Sequence, residues 1–255
     1  MSTRMRCFDI LTLLQQEHEV KVSDLAKQFN TSEMTIRRDL NFLAQQYNIT
    51  RTHGGATLQQ DSVVRTISFD EAKIKNKEVK ELISQKASEL IEARQRIFID
   101  AGSTTRQMIK YISEEMRCVI ITNSLTVAED ALEHKNLSVI MLGGEMLPLA
   151  RCSSGLIAEE QLKRYPLDIA FLGAAAVGND GKMYDGYSPE ARLKESIFQI
   201  SKKIYLMVDS SKFNCYDLHE YGSLEQVHGV ITDAGVSKEA STLLNNHNVE
   251  VIIAG

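Results

Sequence analysis

The chain has 255 residues, 43% hydrophobic and 25% charged, an ordinary composition for a globular protein and enough length for two domains. No run approaches the roughly 18 consecutive apolar residues of a membrane span, and the N-terminus soon turns polar without a small-residue cleavage site, so no membrane partner and a cytoplasmic location are expected. The net charge of −5 disfavours nucleic acid only until it is read by segment: residues 1–60 hold seven Lys and Arg against six Asp and Glu, leaving the acidity to the remainder.

Residues 4–17 read as a helix, with Cys7, Ile10, Leu11 and Leu14 at helical spacing. Ser23 is the expected N-cap of a short second helix whose apolar side is Leu25, Ala26 and Phe29. Asn30-Thr31-Ser32 breaks the pattern, and Ser32 caps a third helix running to about Tyr47. Two short helices joined by such a turn form a helix-turn-helix. In the third helix Ile36, Leu40, Leu43 and Tyr47 share one face, while Met34, Arg38, Asn41 and Gln45 share the other, with Thr35 and Arg37 at its edges. A recognition helix offers its N-terminal part to base edges; Arg reads guanine and Asn reads adenine. Arg37 also stands one turn after Glu33 and can pair with it. The stretch 49–58 is rich in β-branched residues and broken by Gly54-Gly55, which predicts a β-hairpin wing with positive φ at the glycines. Arg51 and His53 flank that turn and are candidate phosphate or minor-groove contacts.

Ser32-Glu-Met-Thr-Ile-Arg-Arg-Asp-Leu40 followed by Arg51-Thr-His-Gly-Gly-Ala56 resembles the DeoR family of bacterial regulators, over both helices and the wing in order. Thr31 stands where that family usually has Val, and Tyr47-Asn48 where a Gly usually leads to the wing. The DNA contacts expected are Ser32, Met34, Thr35, Arg37, Arg38, Asn41, Arg51 and His53.

After a linker at 61–74, residues 70–95 carry Ile74, Val79, Leu82, Ile83, Ala87, Leu90 and Ile91 at three- and four-residue steps, predicting a helix. Lys73, Lys75, Lys77 and Lys80 read as its solvated face. From residue 96 strand-like runs alternate with helix-like ones. Expected strands are 97–100, 118–122, 139–142, 169–172, 204–208, 230–232 and 249–253, and helices 103–113, 155–164, 189–202 and 237–246. Continuous apolar strands favour a parallel sheet covered on both faces. Polar clusters follow the strands: Asp100-Ala-Gly-Ser-Thr-Thr105, Thr122-Asn-Ser124, Gly143-Gly144, Gly173 and Asp209-Ser-Ser-Lys212. Ligands of open parallel sheets bind beyond such strand ends. Gly102-Ser103-Thr104-Thr105, opening a helix, suits phosphate; Lys212 supplies a cation and Asp100 a partner for sugar hydroxyls. Each turn taken alone is equally well read as a helix cap.

This half is similar to the DeoR-family effector domain, itself related to ribose-5-phosphate isomerases. The resemblance implies an effector pocket of Asp100, Gly102, Ser103, Thr104, Thr105, Asn123, Ser124, Gly143, Gly144, Asp209 and Lys212, with the 173–181 loop and Lys194 nearby; three successive alanines in that loop depart from the family pattern. Asp180, Asp185 and Glu190 read as a solvated loop in preference to a paired-carboxylate site. Cys7, Cys118, Cys152 and Cys215 are scattered and the six histidines form no ligand motif, so idle thiols, no metal and no cofactor are expected.

The expectation is therefore an α/β protein: an N-terminal winged helix-turn-helix (1–60) joined through the linker (61–74) to a mostly parallel-sheet sensor domain (75–255). It would be a homo-oligomeric repressor, dimer or tetramer, binding a double-stranded DNA operator under control of a sugar phosphate. The competing reading is an isomerase using Asp100, Glu190, Lys194 and Lys212, with DNA binding as an accessory.

Overall fold

A computed structural model describes residues 6, 7, 9, 10, 13, 14, 17–46, 49–58, 76–148 and 150–255. Leu11, Tyr47, the expected linker at 61–74, Lys73, Ile74 and Lys75 lie outside the described residues, as does the side chain of Gln45.

In the N-terminal part the described positions 6, 7, 9, 10, 13, 14 and 17 are helical. Strand β1 (Glu19–Lys21) then runs straight into α1 (Val22–Gln28). The helix thus starts before Ser23, and its N-cap is Lys21 with no side-chain cap; Ser23 instead donates to Asp24 at 3.3 Å. Asn30, in the left-handed region at φ 46°, ends the turn. Ser32 does cap α2 (Glu33–Gln46), its Oγ accepting from the Thr35 amide at 3.2 Å, a contact worth about 1 kcal/mol. Ile10, Leu14, Ile36 and Leu40 are fully buried, with Leu25, Leu43 and Ala56 packed beside them. The wing consists of β2 (Ile49–Arg51) and β3 (Gly55–Leu58), and β1 joins it to give the antiparallel order β1-β3-β2.

Neither wing glycine has positive φ, contrary to the expectation. Gly55 answers a different constraint: a Cβ there would overlap the Val20 carbonyl oxygen on the paired strand β1. The third strand, not the turn, demands the glycine.

The C-terminal part is built on a seven-stranded parallel sheet. Its strands are β4 (Arg96–Ile99), β5 (Cys118–Thr122), β6 (Leu137–Met141), β9 (Ile169–Leu172), β12 (Ile204–Met207), β14 (Gly229–Asp233) and β15 (Glu250–Ala254), in the order β15-β14-β12-β9-β4-β5-β6. All seven coincide within two residues with the continuous apolar runs. One face buries Ile97, Ile99, Ile120 and Phe171 beneath α3 (Lys77–Ser88), a 3-10 helix (Thr105–Tyr111) and α4 (Leu125–Leu132). The other buries Phe98, Ile121, Leu172 and Leu206 beneath α5 (Leu156–Leu162), α6 (Ser188–Ile200) and α7 (Lys238–Asn246). Alternate residues of each strand thus serve opposite cores.

Two small antiparallel elements complete it: a ribbon of β7 (Glu145–Leu147) and β8 (Cys152–Ser154), and a sheet of β10 (Ala176–Val177), β11 (Lys182–Asp185) and β13 (His219–Ser223). The chain leaves β4 toward β5 and β6, then crosses back to lay β9 on β4's other side. Strands β4 and β9 therefore flank a topological switch point, beyond whose carboxyl ends open parallel sheets bind their ligands.

Candidate DNA-reading surface and switch-point site

Arg37 and Arg38 are exposed on α2, and Met34 is 71% exposed, while Ile36 and Leu40 on the opposite side are inaccessible. Arg37 lies 3.6 Å from Glu33 in an exposed i,i+4 pair, an interaction of a few tenths of a kcal/mol. Ser32 and Thr35 share a hydroxyl hydrogen bond of 2.9 Å at the helix start. Arg51 donates through Nε to Asn41 Oδ1 at 3.0 Å and through Nη1 to the Gly55 carbonyl, tying the wing root to the middle of α2. Burial, with Arg37 adding repulsion, lowers the Arg51 pKa. His53 stands exposed at the wing turn. The eight residues singled out for DNA contact thus lie on α2, its cap and the wing. Sequence reasoning missed the support beneath them: Asp39, 2% exposed, receives a two-pronged ion pair from Arg6, at 2.6 and 3.3 Å. A buried carboxylate is retained only with such a partner.

At the switch point, Asp100 follows β4 and Gly173 follows β9. Asp100 Oδ2 accepts from the Gly173 amide at 3.0 Å and forms an ion pair with Lys194 Nζ at 2.9 Å. Lys194, on α6, also reaches Asp185 Oδ2 at 2.6 Å and the Gly173 carbonyl at 2.8 Å, and lies 5.1 Å from the centroid of the Tyr221 ring. Burial opposes the Lys194 charge, but Asp100 and Asp185 outweigh it, and its pKa stands well above the usual lysine value. Glu190, one turn earlier on α6, accepts from the buried Cys152 thiol at 3.2 Å. Burial, with help from the Asp185 charge, pushes Glu190 up to about 7. Asp217 rises to about 7 through burial, with the Leu218 amide and Lys212 holding it lower than burial alone would. Burial also raises the Asp185 pKa, against the pull of Lys194.

Asp185 and Glu190 therefore belong to a packed cluster and not to the solvated loop expected of them; of that trio only Asp180 is exposed. Asp100, from the end of β4, converges with Glu190 and Lys194, one turn apart on α6.

The other predicted residues divide. Thr105 turns its hydroxyl to the carbonyls of Asp100 and Gly102, at 2.7 and 2.9 Å, closing its own loop. The predicted helix at 103–113 is the shorter 3-10 turn. Ser103 Oγ instead meets Lys80 Nζ at 3.0 Å, and the Thr104 carbonyl accepts from Ser84 of α3 at 2.6 Å. Lys80 is 4% exposed, a correction to the solvated face assigned to it. Asp209 accepts from Asn76 Nδ2 at 3.1 Å and from the Ser211 amide and hydroxyl. Lys212, half-buried, acts on the Asp185 and Asp217 carboxyls. Asn123 donates to the Ser153 carbonyl, and Ser124 caps α4. Gly143 and Gly144 meet Gln161 and the Ser154 carbonyl, where the φ of +134° at Gly144 demands glycine. These two glycines hold the ribbon against α5 and join none of the Lys194 contacts given above. Asn76, Lys80, Asp217 and Tyr221 escaped sequence reasoning. Lys80 carried a legible signal, for it shares a helical face with Ile83, Ser84 and Ala87, the buried side of α3.

Comparison with known proteins agrees with this two-part design. Residues 6–62 match the DeoR-like helix-turn-helix domain and residues 75–234 the DeoR C terminal sensor domain. The chain is 32% identical to the glycerol-3-phosphate regulon repressor of Escherichia coli K12, covering 98% of this chain and 99% of that protein. It is 30% identical to a putative aga operon transcriptional repressor of Escherichia coli O157:H7, covering 99% and 94%. Among solved structures, ribose 5-phosphate isomerase A of Methanocaldococcus jannaschii overlays with a TM-score of 0.41 at 19% identity over 55% of each chain, a likeness without functional weight. The matched motifs, the exposed arginines of α2 and the full-length relatives together identify the chain as a member of the DeoR family of DNA-binding transcriptional regulators.

Proposed function

We propose that this regulator represses a carbohydrate-use operon and releases its operator when a phosphorylated sugar or polyol occupies the switch-point crevice. The observation that carries the ligand class is the union there of acceptors for hydroxyls (Asp100, Asp185, Glu190, Asp217) with lysines for an anion. The likeness to a glycerol-3-phosphate regulon repressor and to an aga operon repressor of Escherichia coli supports the same class. The reader is residues 1–60, with Ser32, Met34, Thr35, Arg37, Arg38, Asn41, Arg51 and His53 as its DNA contacts. The segment 61–74 is the linker and 75–255 the sensor, which binds its ligand without turnover. A single winged helix buries too little surface for genomic specificity, so two copies on a two-part operator complete the reading, in the cytoplasm.

The test has two steps. Selection from a random duplex library should yield a two-part site, and a thermal-shift screen of sugar phosphates should raise the melting temperature with one of them. That compound should then weaken binding to the selected duplex at fixed salt. Binding without effect on the duplex would remove the sensor role.

The convergence of Asp100, Glu190 and Lys194 favours one second reading, an aldose–ketose isomerase with a DNA-binding appendage. Product formation from the bound sugar phosphate would establish it; saturable binding without product would eliminate it.

A further inference from the structure

Strand β6 is an edge of the seven-stranded sheet, hydrogen-bonded to β5 on one side and, among the described residues, to no strand on the other. An open edge is a row of unpaired backbone donors and acceptors, and proteins that keep such an edge to themselves blunt it with charge, Pro or a covering element. Strand β6 reads Leu-Ser-Val-Ile-Met, five residues without a charge or a Pro. Ser138 is exposed and the other four are half-buried. The opposite edge strand, β15, begins with the exposed charge of Glu250. The helix above β6 has the same character. Helix α4 lies over β6 and turns Val127 and Ala131 to the core. Yet Leu125 is 39% and Leu132 71% exposed, and a spacing of seven puts both on one side of the helix. A single exposed leucine is ordinary. Two on a helix that roofs an uncharged open edge extend that edge into an apolar surface.

We propose that β6 and α4 form the contact between the sensor and a second copy of this chain, the two β6 strands pairing antiparallel about a two-fold axis at Val139. An open edge is satisfied by another extended strand, and a two-fold contact requires a surface that fits itself. This one does. With Val139 opposite its own counterpart, Leu137 stands opposite Met141 of the other copy, and Ser138 opposite Ile140, so no charge is buried along the seam. Helix α4 leads from the carboxyl end of β5 back to the amino end of β6. The same axis therefore brings Leu125 of each copy toward Leu132 of the other. Pairing β6 with β15 of a neighbour would satisfy the backbone as well, but it runs head to tail and does not close. The inference deepens the two-copy operator reading above by giving the copies a contact surface.

Sedimentation equilibrium of the full chain, from nanomolar to micromolar concentration, supplies the first test. Wild type should self-associate. Ser138→Lys combined with Leu132→Glu, both at exposed positions, should raise the dimer dissociation constant at least about tenfold, since an edge lysine opposes strand pairing. If that variant melts below wild type, Ser138→Lys alone takes its place, judged by the same constant. Cross-linking tests the register, with the half-buried thiol removed by Cys215→Ser. Opposed residues of an antiparallel pair have Cα atoms about 4.5–5.5 Å apart, within disulfide reach. Mild oxidation should therefore link Val139→Cys into dimers. Ser138→Cys, diagonal to its counterpart at about 7–8 Å, should link far less. A monomeric wild type, an unchanged dissociation constant, a mass that grows without limit, or equal cross-linking from the two cysteines overturns the inference and leaves the sugar-phosphate reading intact. A monomeric variant that still fills the two-part duplex as wild type does leaves the interface standing and removes the two-copy operator reading.

Discussion

Arg38 points to solvent from a helix whose opposite side is sealed by Ile36 and Leu40, so its guanidinium contributes little to stability and is available to DNA. Its replacement separates two kinds of contact. If Arg38 reads a base, Arg38→Ala costs about 1–3 kcal/mol and relaxes specificity at one position; if it holds a phosphate, affinity falls on all sequences and the salt slope drops by about 1. Fluorescence anisotropy on the selected duplex at several salt concentrations checks this, and an unchanged affinity and slope would remove Arg38 from the interface. Asn41 and Arg51 behave differently, because each already holds the other; either change also loosens the wing. In the sensor, Glu190 and Asp217 are carboxyls raised to about 7 by burial. Around Glu190 stand Asp185, Lys194, Asp100 and Cys152; around Asp217 stand Asp185, Lys212 and the Leu218 amide. A raised carboxyl binds its proton more tightly in the folded chain, so the associated stability is complete below the ordinary carboxylate pKa and is lost as pH rises through about 7. The sensor should melt at lower temperature at pH 8 than at pH 5. Glu190→Gln with Asp217→Asn should flatten that dependence, as measured by calorimetric scans across the range. A slope equally steep in the double variant would place the proton elsewhere.

Elements differed in how far their sequence disclosed them. The seven strands of the large sheet were legible because burial on both faces leaves continuous apolar runs, as in Ile97-Phe98-Ile99 or Ile169-Ala170-Phe171-Leu172. Strand β1 was not, for Glu19-Val20-Lys21 is three residues long with one buried side chain, and only its partner β3 makes it a strand. Helix α4 was hidden because Leu125–Leu132 presents Val127 and Ala131 to the core but leaves Leu132 exposed, blurring the period. The site was half legible. Asp100 and Asp209 stood in recognisable clusters and Lys194 came through the family resemblance, whereas the meeting of Asp185 and Glu190 with Lys194, and of Asp217 with Asp185, depends on β11, α6 and the approach to β13 folding together across more than thirty residues. Gly55 shows what such pairing controls. Adding one methyl group there should push β1 from β3, because the obstacle is backbone and cannot swing away. Gly55→Ala should therefore lose protection from hydrogen exchange at Glu19–Lys21 and Gly55–Leu58 and bind the operator poorly, while the sensor's ligand affinity is unchanged. Gly54→Ala, with open space around the new Cβ, should do neither. Equal behaviour of the two variants would refute the three-stranded account of the wing.

At the scale of the molecule, one polypeptide carries a reader whose ligand is DNA and a sensor whose proposed ligand is a small phosphorylated polyol. Coupling between them is a free energy shared by both sites, and thermodynamics makes it symmetric: if the effector weakens operator binding by a given factor, the operator weakens effector binding by the same factor. Allosteric couplings typically amount to a factor between about 5 and 150, or about 1–3 kcal/mol. The prediction is quantitative without knowledge of any pathway through the linker. Operator affinity is measured with and without saturating effector, effector affinity is measured with and without saturating operator duplex, and the two ratios must agree. Ratios that disagree in wild type would mean that a further equilibrium, such as dissociation of the two copies that share an operator, takes up part of the coupling; repeating both titrations at higher protein concentration would then bring them together.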